Sequence, residues 1–173
     1  MNAQENIRGL LYDFFTDDHK RLEALLSRAT EHLPKIDGIP YAEFRRGLLK
    51  HISMEEKILF PAVRRFGGKA LPETEQLRLD HSALAALMVP PPSPGIIAAV
   101  RAILARHNEL EEKSDGVYET CERLAGDELK KLMEEILNDP EVPVLPHNEN
   151  PGVLDATRRA LARAGYDLAD DTK

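Results

Sequence analysis

The sequence has no tryptophan, one cysteine among 173 residues and only 5% aromatic side chains. Few aromatics beside 31% charged residues argue against a β-sandwich and point to a mostly helical, soluble protein. The lone thiol, Cys121, cannot close an internal disulfide; it fits a reducing compartment and reads as an ordinary core residue. No run of about 18 apolar residues occurs, which excludes a membrane-spanning helix. Residues 1–6 carry no basic segment followed by an apolar stretch, so no secretory leader is read there and a cytoplasmic location is expected. Basic charge is also short. Lys and Arg number 23 against 30 Asp and Glu, a formal net charge of -7 with a pI near 5.4, which excludes a general affinity for nucleic acid or anionic membranes.

What is present is an apolar pattern with a helical period. At 42% hydrophobic the chain can bury one sizeable core. Tyr12, Phe15, His19, Leu22, Leu26, Ala29 and Leu33 step by three and four along a first helix, although Thr16-Asp17-Asp18 could instead cap a later start. His32 lies beside this stripe and reads as a surface residue. Pro40 opens a second helix with Tyr41, Phe44, Leu48, His51, Glu55, Ile58 and Ala62 on one face, closed by Gly67-Gly68. A third helix starts near Pro72 and carries Thr74, Leu77, His81, Leu84 and Met88. After the prolines of 89–95, a fourth shows Val100, Leu104, His107, Glu111, Ser114, Tyr118, Cys121 and Ala125 as one stripe, with Gly116 a point of local distortion. The expectation is an all-α fold: an antiparallel up-down four-helix bundle over residues 1–126, and a C-terminal helical extension over 127–173 packed on it. That extension should hold a short helix at 127–137, a Pro-rich strap, and a last helix over 151–163 capped by Asn150. Arg158, Arg159 and Arg163 read as its solvated face.

Each of the four core stripes contains a histidine, and two contain a glutamate one turn later. A buried polar group without a partner costs roughly 2–7 kcal/mol, so something must satisfy His19, His51, Glu55, His81, His107 and Glu111. Residues i and i+4 project to the same side, so one helix can present an imidazole and a carboxylate together. One such histidine would most often be merely hydrogen-bonded, but four on facing stripes point to metal. Six candidate ligands exceed what one tetrahedral ion uses, and two ions bridged by Glu55 and Glu111 use them best. Imidazole and carboxylate without thiolate suit Fe, ahead of Mn or Zn, without fixing the element.

The motifs Asp18-His19, His51-Ile52-Ser53-Met54-Glu55-Glu56 followed by Leu59-Phe60-Pro61, Asp80-His81, and His107-Asn108-Glu109-Leu110-Glu111-Glu112 occur in that order between residues 12 and 126. In them the sequence resembles the hemerythrin-like (HHE cation-binding) family. The resemblance implies a non-haem di-iron centre with Glu55 and Glu111 as bridging carboxylates, the four histidines as terminal ligands, and an oxo or hydroxo bridge from solvent. Oxygen-carrying hemerythrins have a further histidine where this chain has Ala85, so the site is one imidazole short; Glu23, four residues after His19, or His147 from the strap could fill the gap. The implied function is a di-iron protein that binds O2 or a related small diatomic or oxidant for sensing, storage or delivery, more a binding protein than an enzyme, as monomer or homodimer. Leu48, Leu84, Leu104 and Ile58 would keep water from it. Two alternatives stand beside this: a di-iron enzyme or iron donor acting on nitric oxide, peroxide or in cluster repair, and a bundle whose metal is structural.

Overall fold

The computed structural model describes residues 9–169, so the reading of residues 1–6 lies outside the described residues. Among the described residues every regular element is helical, and no helix is long and apolar enough to cross a membrane.

Helix α1 (Leu10–Ala29) starts before Thr16, which is buried mid-helix with its Oγ1 donating to Asp13 O at 3.3 Å. The earlier start is stabilised from far along the chain. The Glu122 carboxylate accepts the N–H groups of Gly9, of Leu11 (3.1 Å) and of Tyr12 (3.2 Å), which an α-helix start leaves unpaired. Leu33 falls beyond the helix and is half exposed, and His32 is exposed.

Helix α2 (Gly38–Met54) is capped by Asp37, whose side chain accepts from Ile39 N at 3.0 Å. It runs through a single π turn (Glu55–Leu59) into α3 (Phe60–Gly67), and Gly68 at φ +73° closes the run. Pro61 has no N–H for the carbonyl four residues back, and the backbone adapts, with Phe60 N–H reaching five residues back to Glu55 O. The expected even stepping therefore slips by one position. Leu59 is fully buried where Ile58 was expected, and Ile58 is only half-buried.

Helix α4 (Thr74–Leu87) and its cap Met88 bury all five residues of the third stripe. The fourth stripe, expected as one helix, is two: α5 (Pro94–Glu112), capped by Ser93, and α6 (Val117–Ala125), with a turn over 113–116 that exposes Ser114. Gly116 makes this turn possible. A Cβ there would lie 2.5 Å from Glu111 O and 2.7 Å from Lys113 O, a space no side chain can enter.

A short 3-10 turn (Gly126–Glu128) leads to α7 (Leu129–Leu137), and after an irregular strap α8 (Pro151–Ala164) begins at Asn150, whose side chain accepts from Gly152 N at 3.0 Å. Lys50 Nζ pins the start of the strap through Asp139 O, Asp139 Oδ2 (3.2 Å) and Pro140 O (3.0 Å). The apolar core forms two clusters. One contains Leu22, Leu48, Leu84, Ile103 and Leu161 of α8; the other contains Phe15, Met54, Leu59, Leu77, Val117 and Ile136 of α7. On each of the four long stripes, the core histidine sits where membership passes from one cluster to the other. Cys121 is a buried core thiol of the second cluster, its pKa pushed up to about 12 by burial.

Candidate metal centre

The polar layer between the clusters brings six of the expected residues together. His19 comes from α1, His51 from α2, Glu55 from the π turn, His81 from α4, and His107 and Glu111 from α5; all are buried, the two glutamates at 0% exposure. They form two overlapping groups whose ligand-type atoms lie within 4.8 Å of one another: His19, His51, Glu55 and Glu111, and Glu55, His81, His107 and Glu111. Each carboxylate offers one oxygen to each side. Glu55 Oε1 lies 3.4 Å from His51 Nε2 and Glu111 Oε2 lies 3.5 Å from His19 Nε2. Glu55 Oε2 is 3.0 Å from His81 Nε2, and Glu111 Oε1 is 3.1 Å from His107 Nε2.

The second nitrogen of every ring is held by a carboxylate. His51 Nδ1 meets Asp18 Oδ2 at 2.8 Å, His81 Nδ1 meets Glu56 Oε1 at 2.7 Å, His107 Nδ1 meets Asp80 Oδ2 at 3.3 Å, and His19 Nδ1 meets Glu112 Oε1 at 2.5 Å. Each of these acids is the chain neighbour of a residue in the centre, and each reaches a histidine on another helix, so the four contacts close a ring around the site. A carboxylate on Nδ1 fixes the tautomer that leaves Nε2 free to bind metal and makes it a stronger donor.

The donors fit a cation. Glu55 Oε2, Glu111 Oε1 and His81 Nε2 are buried without a hydrogen-bond partner, although His81 Nε2 and Glu55 Oε2 are 3.0 Å apart. Close approach without hydrogen-bond alignment is what atoms sharing a central ion would adopt, and orphaned buried polar atoms are otherwise rare. Protons compensate the charge in the metal-free chain. Burial alone would lower the pKa of His51, but the Glu55 charge and hydrogen bonds to Asp18 and Glu55 raise it to about 10. His107 is likewise raised to about 10, against burial, by the Glu111 charge and its bond to Asp80. His81 rises against burial because the Glu55 and Glu56 carboxylates lie against its two ring nitrogens, whereas burial and the neighbouring His51 charge lower His19. Burial would raise Glu55, but the His51 charge and the close His51 and His81 rings hold it well below the usual carboxylate value.

Two candidates lie elsewhere. Glu23 is 54% exposed and paired with Arg101 Nη1 at 2.5 Å, outside both groups. His147 is exposed, its ring centroid 6.1 Å from that of Tyr41. Glu23 and Arg101 instead line a pocket of about 330 Å³ that reaches His19, His51 and His107 between walls of Leu22, Leu48, Ile52, Leu84 and Leu104. Ile58 packs with the second cluster and is not part of that wall.

Sequence reasoning missed five contributors. Asp18, Glu56, Asp80 and Glu112 stood in the motifs without a role, and their adjacency to ligand-type residues was the available signal. Tyr118 was counted as core; its hydroxyl lies 2.7 Å from Glu55 Oε1, 2.9 Å from Glu111 Oε2 and 3.2 Å from His19 Nε2.

No curated protein and no solved structure matches this chain. The family model described as the hemerythrin HHE cation-binding domain matches residues 10–140, a span that includes every residue of the polar layer. With that match over most of its length, the chain belongs to the hemerythrin HHE cation-binding domain family.

Proposed function

We propose that this chain holds two iron ions and uses them to bind O2 or a related small oxidant, for sensing, storage or delivery in the cytoplasm. The observation that carries the reading is the sharing of Glu55 and Glu111 by two four-residue groups, with one oxygen of each carboxylate turned to each histidine pair. In it, His19, His51, His81 and His107 would each hold one ion, and Glu55 and Glu111 would serve both. Iron in that place would supply electrons to a small oxidant. The chain's own part is to orient and to exclude. Asp18, Glu56, Asp80 and Glu112 hold the rings by Nδ1, while Leu48, Leu84 and Leu104 wall the approach against bulk water.

The same reading takes α1, α2 with α3, α4, and α5 with α6 as an antiparallel up-down four-helix bundle over residues 1–126, with 127–173 as its extension. The order of the apolar clusters supports it: Phe15 before and Leu22 after His19, but Leu48 before and Met54 after His51, and the same alternation around His81 and His107.

The test is anaerobic loading with ferrous iron followed by air. Two irons per chain, with a visible absorption change that reverses when oxygen is removed, are expected. Far fewer than two irons, or no reversible change, would sink the reading.

One observation favours a second reading. The pocket of about 330 Å³ falls at the lower end of small-molecule sites, roughly 300–1,000 Å³, and gives more room than a diatomic needs. In that case the centre is an enzyme acting on nitric oxide or peroxide, or an iron donor. Turnover no faster than that of free iron would leave the binding reading standing.

A further inference from the structure

We propose that Tyr118 is a seventh protein ligand of the centre, its phenol oxygen binding the metal on the His19 and His51 side. The inference rests on the two-metal reading and goes beyond its six ligands.

The phenol oxygen lies within hydrogen-bond distance of three atoms of the centre. Glu55 Oε1 at 2.7 Å and Glu111 Oε2 at 2.9 Å are the carboxylate oxygens turned to His51 and His19, and His19 Nε2 itself is 3.2 Å away. Tyr118 thus stands among the ligand-type atoms of one side only. Among the ligand-type atoms of the centre, those left without hydrogen-bond partners, Glu55 Oε2, Glu111 Oε1 and His81 Nε2, all belong to the other side.

Hydrogen bonding does not account for this placement. A phenol has one proton, and it can be donated to one acceptor at a time. With two ionised carboxylates in reach, the single phenol proton leaves one contact with oxygen against oxygen and no proton between, and the hydroxyl is fully buried, so water cannot relieve it. A cation between these atoms turns every contact favourable. Phenolate oxygen is an established donor to iron in proteins. On binding, the phenol O–H bond breaks, a metal–oxygen bond forms, and the proton leaves to solvent, with no change of oxidation state.

The chain fixes the ring there. The turn closed by Gly116 starts α6 at Val117, and Phe15 of α1 stacks on the Tyr118 ring with centroids 4.9 Å apart and planes 10° apart. Tyr118 approaches from the second apolar cluster, whereas the pocket enters from the side of Leu22, Leu48 and Leu84 in the first. A ligand added to the His19 and His51 side makes the two sides unequal. It leaves the His81 and His107 side with Glu55, His81, His107 and Glu111 as its only protein ligands.

The experiment loads the full chain with ferrous iron anaerobically, oxidises it in air, counts iron per chain, and records visible and resonance Raman spectra. A phenolate-to-ferric charge-transfer band with enhanced tyrosinate ring modes is expected. Tyr118→Phe should lose the band and modes while still holding two irons, and Tyr12→Phe, whose hydroxyl meets Glu112 O at 3.2 Å instead, should keep them. Two irons without tyrosinate modes in the unchanged chain overturns the proposal alone, whether or not the Phe variant folds. So do modes that survive in Tyr118→Phe. Fewer than two irons in the unchanged chain overturns the two-metal reading and this ligand with it.

Discussion

Glu56 Oε1 accepts from His81 Nδ1 at 2.7 Å, while Oε2 of the preceding residue, Glu55, stands 3.0 Å from the Nε2 of the same ring. One dipeptide thus grips both nitrogens of an imidazole on another helix, and Arg78 Nε, 3.2 Å from Glu56 Oε2, steadies the outer carboxylate. Replacing Glu56 by Gln keeps the shape and removes the charge. Metal affinity, measured by competition with a chelator, should fall about 10- to 100-fold with helix content unchanged. Affinity within twofold of the unchanged chain would mean that the carboxylate does not orient His81.

The protons on the metal-free centre set its response to pH. His51 and His107, raised to about 10 from 6.5, bind protons more tightly in the folded chain, and His81 is raised as well. Stability from a raised histidine is fully present below its unfolded pKa and is lost as pH climbs through the folded value. His19, lowered by burial and the His51 charge, has the opposite sign, but one ring opposes three. The melting temperature of metal-free protein should therefore decline between pH 6.5 and about 10. Metal competes with the same protons, so its apparent affinity should rise across that interval. A melting temperature that climbs from neutral to alkaline pH would contradict the assignment.

The C-terminal helix is tied to the centre through a single amide. Gln76 Nε2 donates to Asp80 Oδ1 at 2.8 Å and to Ala164 O, the last residue of α8, at 3.0 Å, and Asp80 Oδ2 in turn faces His107. Gln76→Leu strips a donor from a fully buried carboxylate, which costs about 1–3 kcal/mol. Urea denaturation should register that loss, and metal affinity should fall with it because His107 loses its orientation. A change in stability with unaltered affinity would confine Gln76 to a structural role.

The helices and the six central residues were legible because burial imposes a period, and a histidine or glutamate on an apolar stripe stands out against it. Two features hid behind that same period. The π turn follows from the backbone's answer to Pro61, and the turn at 113–116, expected only as a local distortion at Gly116, breaks the helix in two while Tyr118 and Cys121 resume the stripe beyond it. The carboxylate ring was hidden for a different reason. Asp18 and His51, or Glu112 and His19, meet only because helices pack, and nothing local marks the pairing. Glu23 shows the converse: it has the same spacing from His19 that Glu55 has from His51, yet it flanks the stripe and turns out to Arg101.

Gly116 decides whether Tyr118 reaches the centre at all. Its N–H donates to Lys113 O at 2.8 Å, and the backbone folds so tightly that a methyl group would sit 2.5 Å from Glu111 O. That oxygen belongs to the backbone of a residue in the centre, so it cannot swing aside as a flexible side chain would. Gly116→Ala must open the turn, which costs about 1–3 kcal/mol as overpacking does elsewhere. It should also displace α6 relative to α5, carrying the Tyr118 hydroxyl away from Glu55 and Glu111. Thermal unfolding reads the first effect, and the visible spectrum of the iron-loaded variant reads the second as weakening of the tyrosinate band. A variant as stable as the unchanged chain and with an undiminished band would show that the turn neither needs glycine nor places the ring.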